Sequence, residues 1–313
     1  MKLTVASSPH IRGNFSTRRI MLDVVLALLP ALLVGALVLG ARALVVALVC
    51  VGGAVAAEWA YSFVTHKRNT VIDGSAMVTG LLLAMTLPVS VPYWQAVLGT
   101  VFAIVFVKLL CGGLGQNIFN PALTARALLM LLFPVAITHY ETVDGISGAT
   151  ALHHMVMPAL PEQSMLDMFL GNCPGSIGEI SALALILGGV YLLARKVISW
   201  RIPVAYLGTV AVLTLVFSKT DSPLAWMGYQ LLSGGVMLGA IFMATDYATS
   251  PTTAVGQLIF GVGCGALTVY FRYTGLFPEG VTYAILIMNA LVWVIDRYTA
   301  PKPFGTKKGG AKS

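Results

Sequence analysis

The sequence predicts an all-α polytopic membrane protein of about ten transmembrane helices, arranged as two inverted five-helix repeats with broken or re-entrant segments. Three observations lead there. Hydrophobic residues make up 58% of the 313 and charged residues only 10%, with a mean hydropathy of +0.87; such values belong to chains that live in lipid. Apolar runs of bilayer-spanning character recur along the whole length. A short pattern in the first half returns in the second.

Residues 1–19 are polar and basic and precede an apolar run too long for a signal-peptide core. The Ala41-Arg42-Ala43 string imitates a cleavage site but is expected to stay intact. The first repeat, 20–138, holds runs near 20–40, 43–64 and 95–110, with shorter or Gly/Pro-interrupted ones near 74–87 and 117–138. A loop at 139–177 follows. The second repeat, 178–297, holds runs near 179–195, 202–218, 223–245, 256–271 and 280–296, and 298–313 form a basic tail.

Lysine and arginine placement orients the chain. Lys2, Arg12, Arg18, Arg19, Lys67, Arg68, Arg195, Lys196, Arg201, Arg297, Lys302, Lys307, Lys308 and Lys312 all fall on one side of an even-numbered bundle, 14 of the 19 basic residues. That side, with both termini, is expected to be cytoplasmic; only Arg42, Lys219 and Arg272 fall opposite. The net charge of +7 is thus topological, and no nucleic-acid partner is implied. The loop from His139 to about Gly175 has no Lys or Arg but carries Glu141, Asp144, Glu162 and Asp167, so it is expected outside the cytoplasm.

Gly80-Leu-Leu-Leu-Ala-Met-Thr86 reappears as Gly239-Ala-Ile-Phe-Met-Ala-Thr245 at an offset of 159, and Pro121 and Pro278 are 157 apart. Five spans per half is an odd number, so the halves would enter the membrane from opposite sides. Such repeats place ligands where helices break. In Cys111-Gly-Gly-Leu-Gly-Gln-Asn117-Ile-Phe-Asn120-Pro121, Asn120 suits an N-cap and Pro121 a first helical position. A helix start there would offer N–H groups and a positive dipole end to an electron-rich ligand. Irregular backbone before it is tolerated at membrane depth only inside protein or a cavity. A second break is expected over Thr274-Gly275-Leu-Phe-Pro278-Glu279-Gly280, near the outer face.

The acidic loop contains Asp144-Gly145-Ile146-Ser147-Gly148-Ala149-Thr150. This fits D-x-x-S-G-A-T, in which a flavin transferase esterifies the threonine hydroxyl with the phosphate of FMN. Small neighbours (Ser147, Gly148, Ala149) let the backbone enter another enzyme's active site, and Asp144 is suited to docking or metal contact. The attached ring remains free to carry electrons.

These residues, with Gly112 to Ala122, Met243-Ala-Thr-Asp246-Tyr-Ala-Thr-Ser-Pro251 and Pro174-Gly-Ser-Ile-Gly178, resemble one family across nearly the whole chain. It comprises the RnfD subunit of the Rnf electron-transport complex and its relative, the NqrB subunit of the sodium-pumping NADH:quinone reductase; the short polar N-terminal segment favours the Rnf type. The resemblance implies covalent FMN on Thr150 and a second, non-covalent flavin, riboflavin, within the membrane domain. It also implies electron flow between ferredoxin and NAD coupled to Na⁺ or H⁺ transport across a bacterial inner membrane. The implied partners are iron–sulfur subunits and a second subunit with covalent FMN. On this reading FMN sits at the outer break, touched by Gly175, Ser176 and Gly178, and riboflavin lies near Gly113, Asn117, Asn120 and Arg126. Asp246 could bind a flavin hydroxyl or a cation, or cap its own loop.

Structural readings stand beside these. Gly175, Ser176 and Gly178 could simply open a helix, with Ser176 near its N-cap. His139, His153 and His154 read as a solvated loop, since adjacent histidines do not converge on one ion. Cys50, Cys111, Cys173 and Cys264 are scattered, so the chain is not expected to hold an iron–sulfur cluster or metal alone. Glu58 and Arg126 could serve an ion path or a flavin, or form structural ion pairs; Asp23 and Lys108 are expected to snorkel to water. No acid/base pair or nucleophile for substrate chemistry is visible, so "enzyme" applies to a complex. The rival readings are a solute channel or transporter, which inverted repeats support equally, and a purely structural scaffold.

Overall fold

The structure is a computed structural model that describes residues 16–66, 70–140, 161, 164–171, 173, 175–275 and 280–301. Every regular element among the described residues is helical. Helix α1 (Thr17–Leu39) starts where the extended Ser16 turns its hydroxyl to accept from Arg19 N (3.3 Å) and stops at Gly40, whose φ is +85°. Then come α2 (Arg42–Thr65), α3 (Ser75–Met85), α4 (Tyr93–Leu109), α5 (Pro121–Leu132), α6 (Pro134–Thr138) and α7 (Met165–Leu170). The second half contributes α8 (Ala182–Ala194), α9 (Arg201–Val216), α10 (Pro223–Leu232), α11 (Val236–Met243), α12 (Ala254–Thr274) and α13 (Val281–Thr299). The last eight residues of α4 and the last five of α11 are π-helical.

Among the described residues four helices (α1, α2, α12 and α13) are long and apolar enough to cross a membrane, and α10 with α11 makes a fifth if the pair, bent by 64°, is one span. The expected runs near 95–110, 179–195 and 202–218 are helical but shorter, none exceeding 17 residues. The run near 179–195 shows why. The residues just before it are held as a turn against the end of α3, Ile177 N donating to Leu87 O (3.1 Å) and Gly178 N to Met85 O (2.8 Å). Helix α8 therefore begins only at Ala182, capped by Ser181 Oγ, which accepts from Ala184 N (3.3 Å).

Small residues decide which helices meet. A Cβ on Gly80 would lie 2.7 Å from Cys50 O, so only glycine lets α3 lie on α2. Gly261 and Gly265, four apart on α12, would place theirs 2.9 Å from Ile202 O and 2.8 Å from Tyr206 O on α9. There Tyr206 and Thr268 share a buried hydroxyl–hydroxyl hydrogen bond of 2.7 Å. Between the halves α1 packs on α8 and α5 on α13. Polar groups turn inward (Glu58, Lys108, Asn120, Arg126, Arg272 and Asn289 are buried) while leucines such as Leu37 and Leu48 face outward. That is the distribution an apolar solvent requires.

Candidate functional site

The first break falls where expected. Gly112, Gly113 and Gly115 all have positive φ (+118°, +99° and +87°), conformations side-chain-bearing residues rarely adopt. Helix α5 then starts at Pro121 with Asn120 as N-cap, its Oδ1 accepting from Ala122 N (3.1 Å) and Leu123 N (3.3 Å). The other end of the same amide donates to Met243 O (3.2 Å), a carbonyl at the end of α11. With its own amide turned to satisfy both neighbours, Asn289 of α13 accepts from Asn120 N (3.1 Å) and donates to Thr249 O (3.0 Å). Two neutral amides thus tie the start of α5, the end of α11 and α13 together.

Around this tie lies a cleft. Its inner cavity, about 80 Å³, has apolar walls that include Leu82, Leu192, Ile198 and Phe242. Its polar edge includes Ser75, Lys108, Asn117, Asn120, Thr245 and Asp246. An outer cavity of about 270 Å³ shares Met21, Leu114, Asp246, Tyr247 and Ala248 with it and reaches Thr17 and Gly115. Together they reach the lower range of small-molecule sites, about 300 Å³.

The structure gathers Asn117, Asn120 and Asp246 here. Asn117 is buried and donates to Phe119 O (3.2 Å). Half-buried Asp246 closes its own loop, accepting from Thr249 Oγ1 (3.2 Å) and Ala248 N (3.5 Å). Desolvation pushes its carboxyl above the ordinary aspartate range, against the pull of hydrogen bonds from Ala248, Thr249 and Tyr247. Gly113 does not line the cleft, though its neighbours Leu114 and Gly115 do. Arg126 lies further along α5, away from the cleft, paired with Glu179 at 3.5 Å.

The outer group differs from expectation in one respect. Ser176 is not an N-cap; that role falls to Ser181, because the turn at 175–180 is held on α3. Ser176 is fully buried and its hydroxyl has no partner among the described residues. Gly178 is glycine because a Cβ would lie 2.7 Å from that of Met85, and Gly175 is buried beside them. Burial pushes the Cys173 thiol up to about 11, helped by the nearby charges of Glu179 and Asp167. Asp144, Ser147, Gly148, Ala149 and Thr150 lie outside the described residues, as do His153, His154 and Pro278.

Neither Asp23 nor Lys108 snorkels freely. Asp23 accepts from Tyr191 OH (2.9 Å) and pairs with Arg195 (3.2 Å). Lys108 is buried, its Nζ 2.9 Å from Glu58 Oε1 and 2.7 Å from Ser75 Oγ. Ser75, Glu179 and Asn289 are not among the residues that the sequence pattern singles out. For Asn289 a signal exists, a lone amide in an apolar run.

The sequence profile of the NQR2, RnfD, RnfE family matches residues 4–305. The chain belongs to this family. Among curated members, it is similar to the D-type subunit of the Na(+)-translocating ferredoxin:NAD(+) oxidoreductase complex of Acetobacterium woodii, 47% identical over 98% of this chain and 97% of that protein. It is also 43% identical to the D-type subunit of the proton-translocating ferredoxin:NAD(+) oxidoreductase complex of Clostridium ljungdahlii, covering 97% of each. The corresponding subunit of the ion-translocating oxidoreductase complex of Stutzerimonas stutzeri is 40% identical, with 94% of each covered.

Proposed function

We propose that this chain is a membrane electron-transfer subunit of an ion-translocating ferredoxin:NAD oxidoreductase complex. It carries FMN as a phosphoester on Thr150 and holds riboflavin in the cleft. The observation that carries this reading is the D-x-x-S-G-A-T string at Asp144–Thr150 in a chain of this family. The names of the relatives, sodium-translocating in one case and proton-translocating in the other, support the complex and leave the ion open.

The cleft suits a planar heteroaromatic ring: apolar faces from Leu82 and Phe242, with amide, hydroxyl and ammonium groups at the edge. Asn117 and Asn120 would hold ring heteroatoms and Asp246 a ribityl hydroxyl. A bound flavin supplies one- and two-electron transfer; the chain binds it, orients it and keeps water from it. On this reading Gly175, Ser176 and Gly178 contact the FMN group, Ser176 through a hydroxyl that has no partner among the described residues.

The ten-helix inverted repeat belongs to this reading. It is supported by first helix on first (α1 on α8), fifth on fifth (α5 on α13) and the Gly80/Gly239 correspondence. Both termini then lie in the cytoplasm of a bacterial cell, with Thr150 outside the inner membrane. Partners are the remaining Rnf subunits, including iron–sulfur subunits and another with covalent FMN, a flavin transferase for maturation, and the lipid bilayer.

In a denaturing gel viewed under ultraviolet light, the chain co-expressed with a flavin transferase should fluoresce, and Thr150→Ala should stay dark. A dark parent band would overturn the reading. The 64° bend between α10 and α11 favours a second possibility, a solute channel or transporter. Tracer uptake into vesicles by this chain alone would support it; uptake that needs the whole complex and a reductant would not.

A further inference from the structure

Lys108 is one end of a buried charge pair, and it is the end that faces the cleft. Its Nζ donates to Glu58 Oε1 (2.9 Å) and to Ser75 Oγ (2.7 Å), with the two charged side chains 3% and 0% exposed. Lys108 and Ser75 line the cleft; Glu58 does not. Thr70 also donates its hydroxyl to Glu58 Oε1, so the oxygen that takes the ammonium has a second partner outside the cleft lining. An ammonium has three N–H groups, and Glu58 and Ser75 account for two of them. The pair is neutral as a whole, yet a group in the cleft lies nearer its positive end. Buried charges are little screened by solvent or salt.

We infer that Lys108 tunes the electron affinity of the flavin in the cleft: its ammonium favours the more negatively charged, reduced form, and Glu58 is the counter-charge that limits this bias. The inference rests on the reading of the cleft as a flavin site. No bond is made or broken at Lys108, which keeps its proton; the electrons come from the redox partners of the complex. Asp246 also lines the cleft and acts with the opposite sign, but it is unchanged in the variants that test Lys108. A role confined to tying α2, α3 and α4 together would not require the pair to be polarised toward the cleft.

The test uses the intact complex. Riboflavin released by acid is quantified, and the potential of that flavin is followed by its visible absorption during a redox titration. Lys108→Met is expected to lower the midpoint potential and Glu58→Gln to raise it, while the double variant, with no unpaired charge, returns toward the parent. Opposite shifts are a signature that simple loosening of the fold does not produce. Shifts of the same sign, or none, with riboflavin retained would overturn the inference. Should Lys108→Met fail to assemble, Glu58→Gln decides alone, and any result but a rise overturns it. A parent complex that releases no riboflavin would instead sink the flavin reading of the cleft, and the inference with it.

Discussion

Helix α11 is broken from its neighbours at both ends, and the two breaks are resolved differently. At its C-terminal end, neutral amides make the connection: Asn120 takes the Met243 carbonyl, and Asn289 takes the Asn120 N–H. A cleft remains beside them. At its N-terminal end the turn Ser233-Gly234-Gly235 is gripped by charge. Buried Arg272 donates to Gln230 O (2.6 Å), Gln230 Oε1 (2.8 Å), Ser233 O (2.8 Å) and Gly234 O (3.3 Å). Glu179 presses against Gly235 and pairs with Arg126. Only about 10 Å³ is left there, room for one water at most. The difference follows from desolvation. A buried guanidinium must fill nearly all its hydrogen bonds, so it draws backbone in around itself, whereas an amide satisfied at two or three points leaves space for a ligand.

Breaking the charged end should have the largest effect. Arg272→Met strands four acceptors and is expected to cost about 3–5 kcal/mol, read as a large drop in the unfolding midpoint of the detergent-solubilised complex. An unchanged midpoint would mean the staple is not needed. Gly235→Ala acts on the same turn more gently. Its φ is +67°, and the new Cβ would sit 2.3 Å from Glu179 Oε1. Backbone strain of about 1–2 kcal/mol is expected, with part of the clash relieved because Glu179 can swing away.

The neutral end can be probed without unfolding it. Asn120→Ser keeps a side-chain oxygen that can cap α5 but loses the donor to Met243 O, so a cost of about 1–2 kcal/mol is expected. Riboflavin content should fall while Thr150 fluorescence stays intact; full riboflavin content would show that the tie does not shape the cleft. The smallest effect is expected from Asp246→Asn. Because folding raises this carboxyl's pKa, ionised Asp246 opposes folding, and stability is lost as pH rises through the folded-state value. The asparagine variant should therefore be slightly more stable at neutral pH. Its advantage should shrink to nothing below the ordinary aspartate pKa of about 4; a constant difference across pH would assign the effect to something other than charge.

Several elements were legible in advance because they rest on local rules. The Gly112–Gly115 run before Asn120-Pro121 announced a break and a helix start, and both are there. The shortened α8 was not legible. Hydropathy marks 179–195 as one apolar run, but the carbonyls of Met85 and Leu87, about ninety residues away, hold Ile177 and Gly178 in a turn, and the helix starts only at Ala182. Ser181 rather than Ser176 became the cap for that reason alone.

By itself the sequence determined the all-helical membrane character, the first break, the family and the Asp144–Thr150 string on which the flavin proposal rests. Each of these depends on composition or on neighbours within a few residues. Only the tertiary structure decided that Lys108 finds Glu58 fifty residues back, that Arg126 leaves the cleft for Glu179, and that Asn120 reaches Met243 across 123 residues. In an apolar surround every buried polar group must find a partner, and which partner it finds depends on how helices distant in sequence cross.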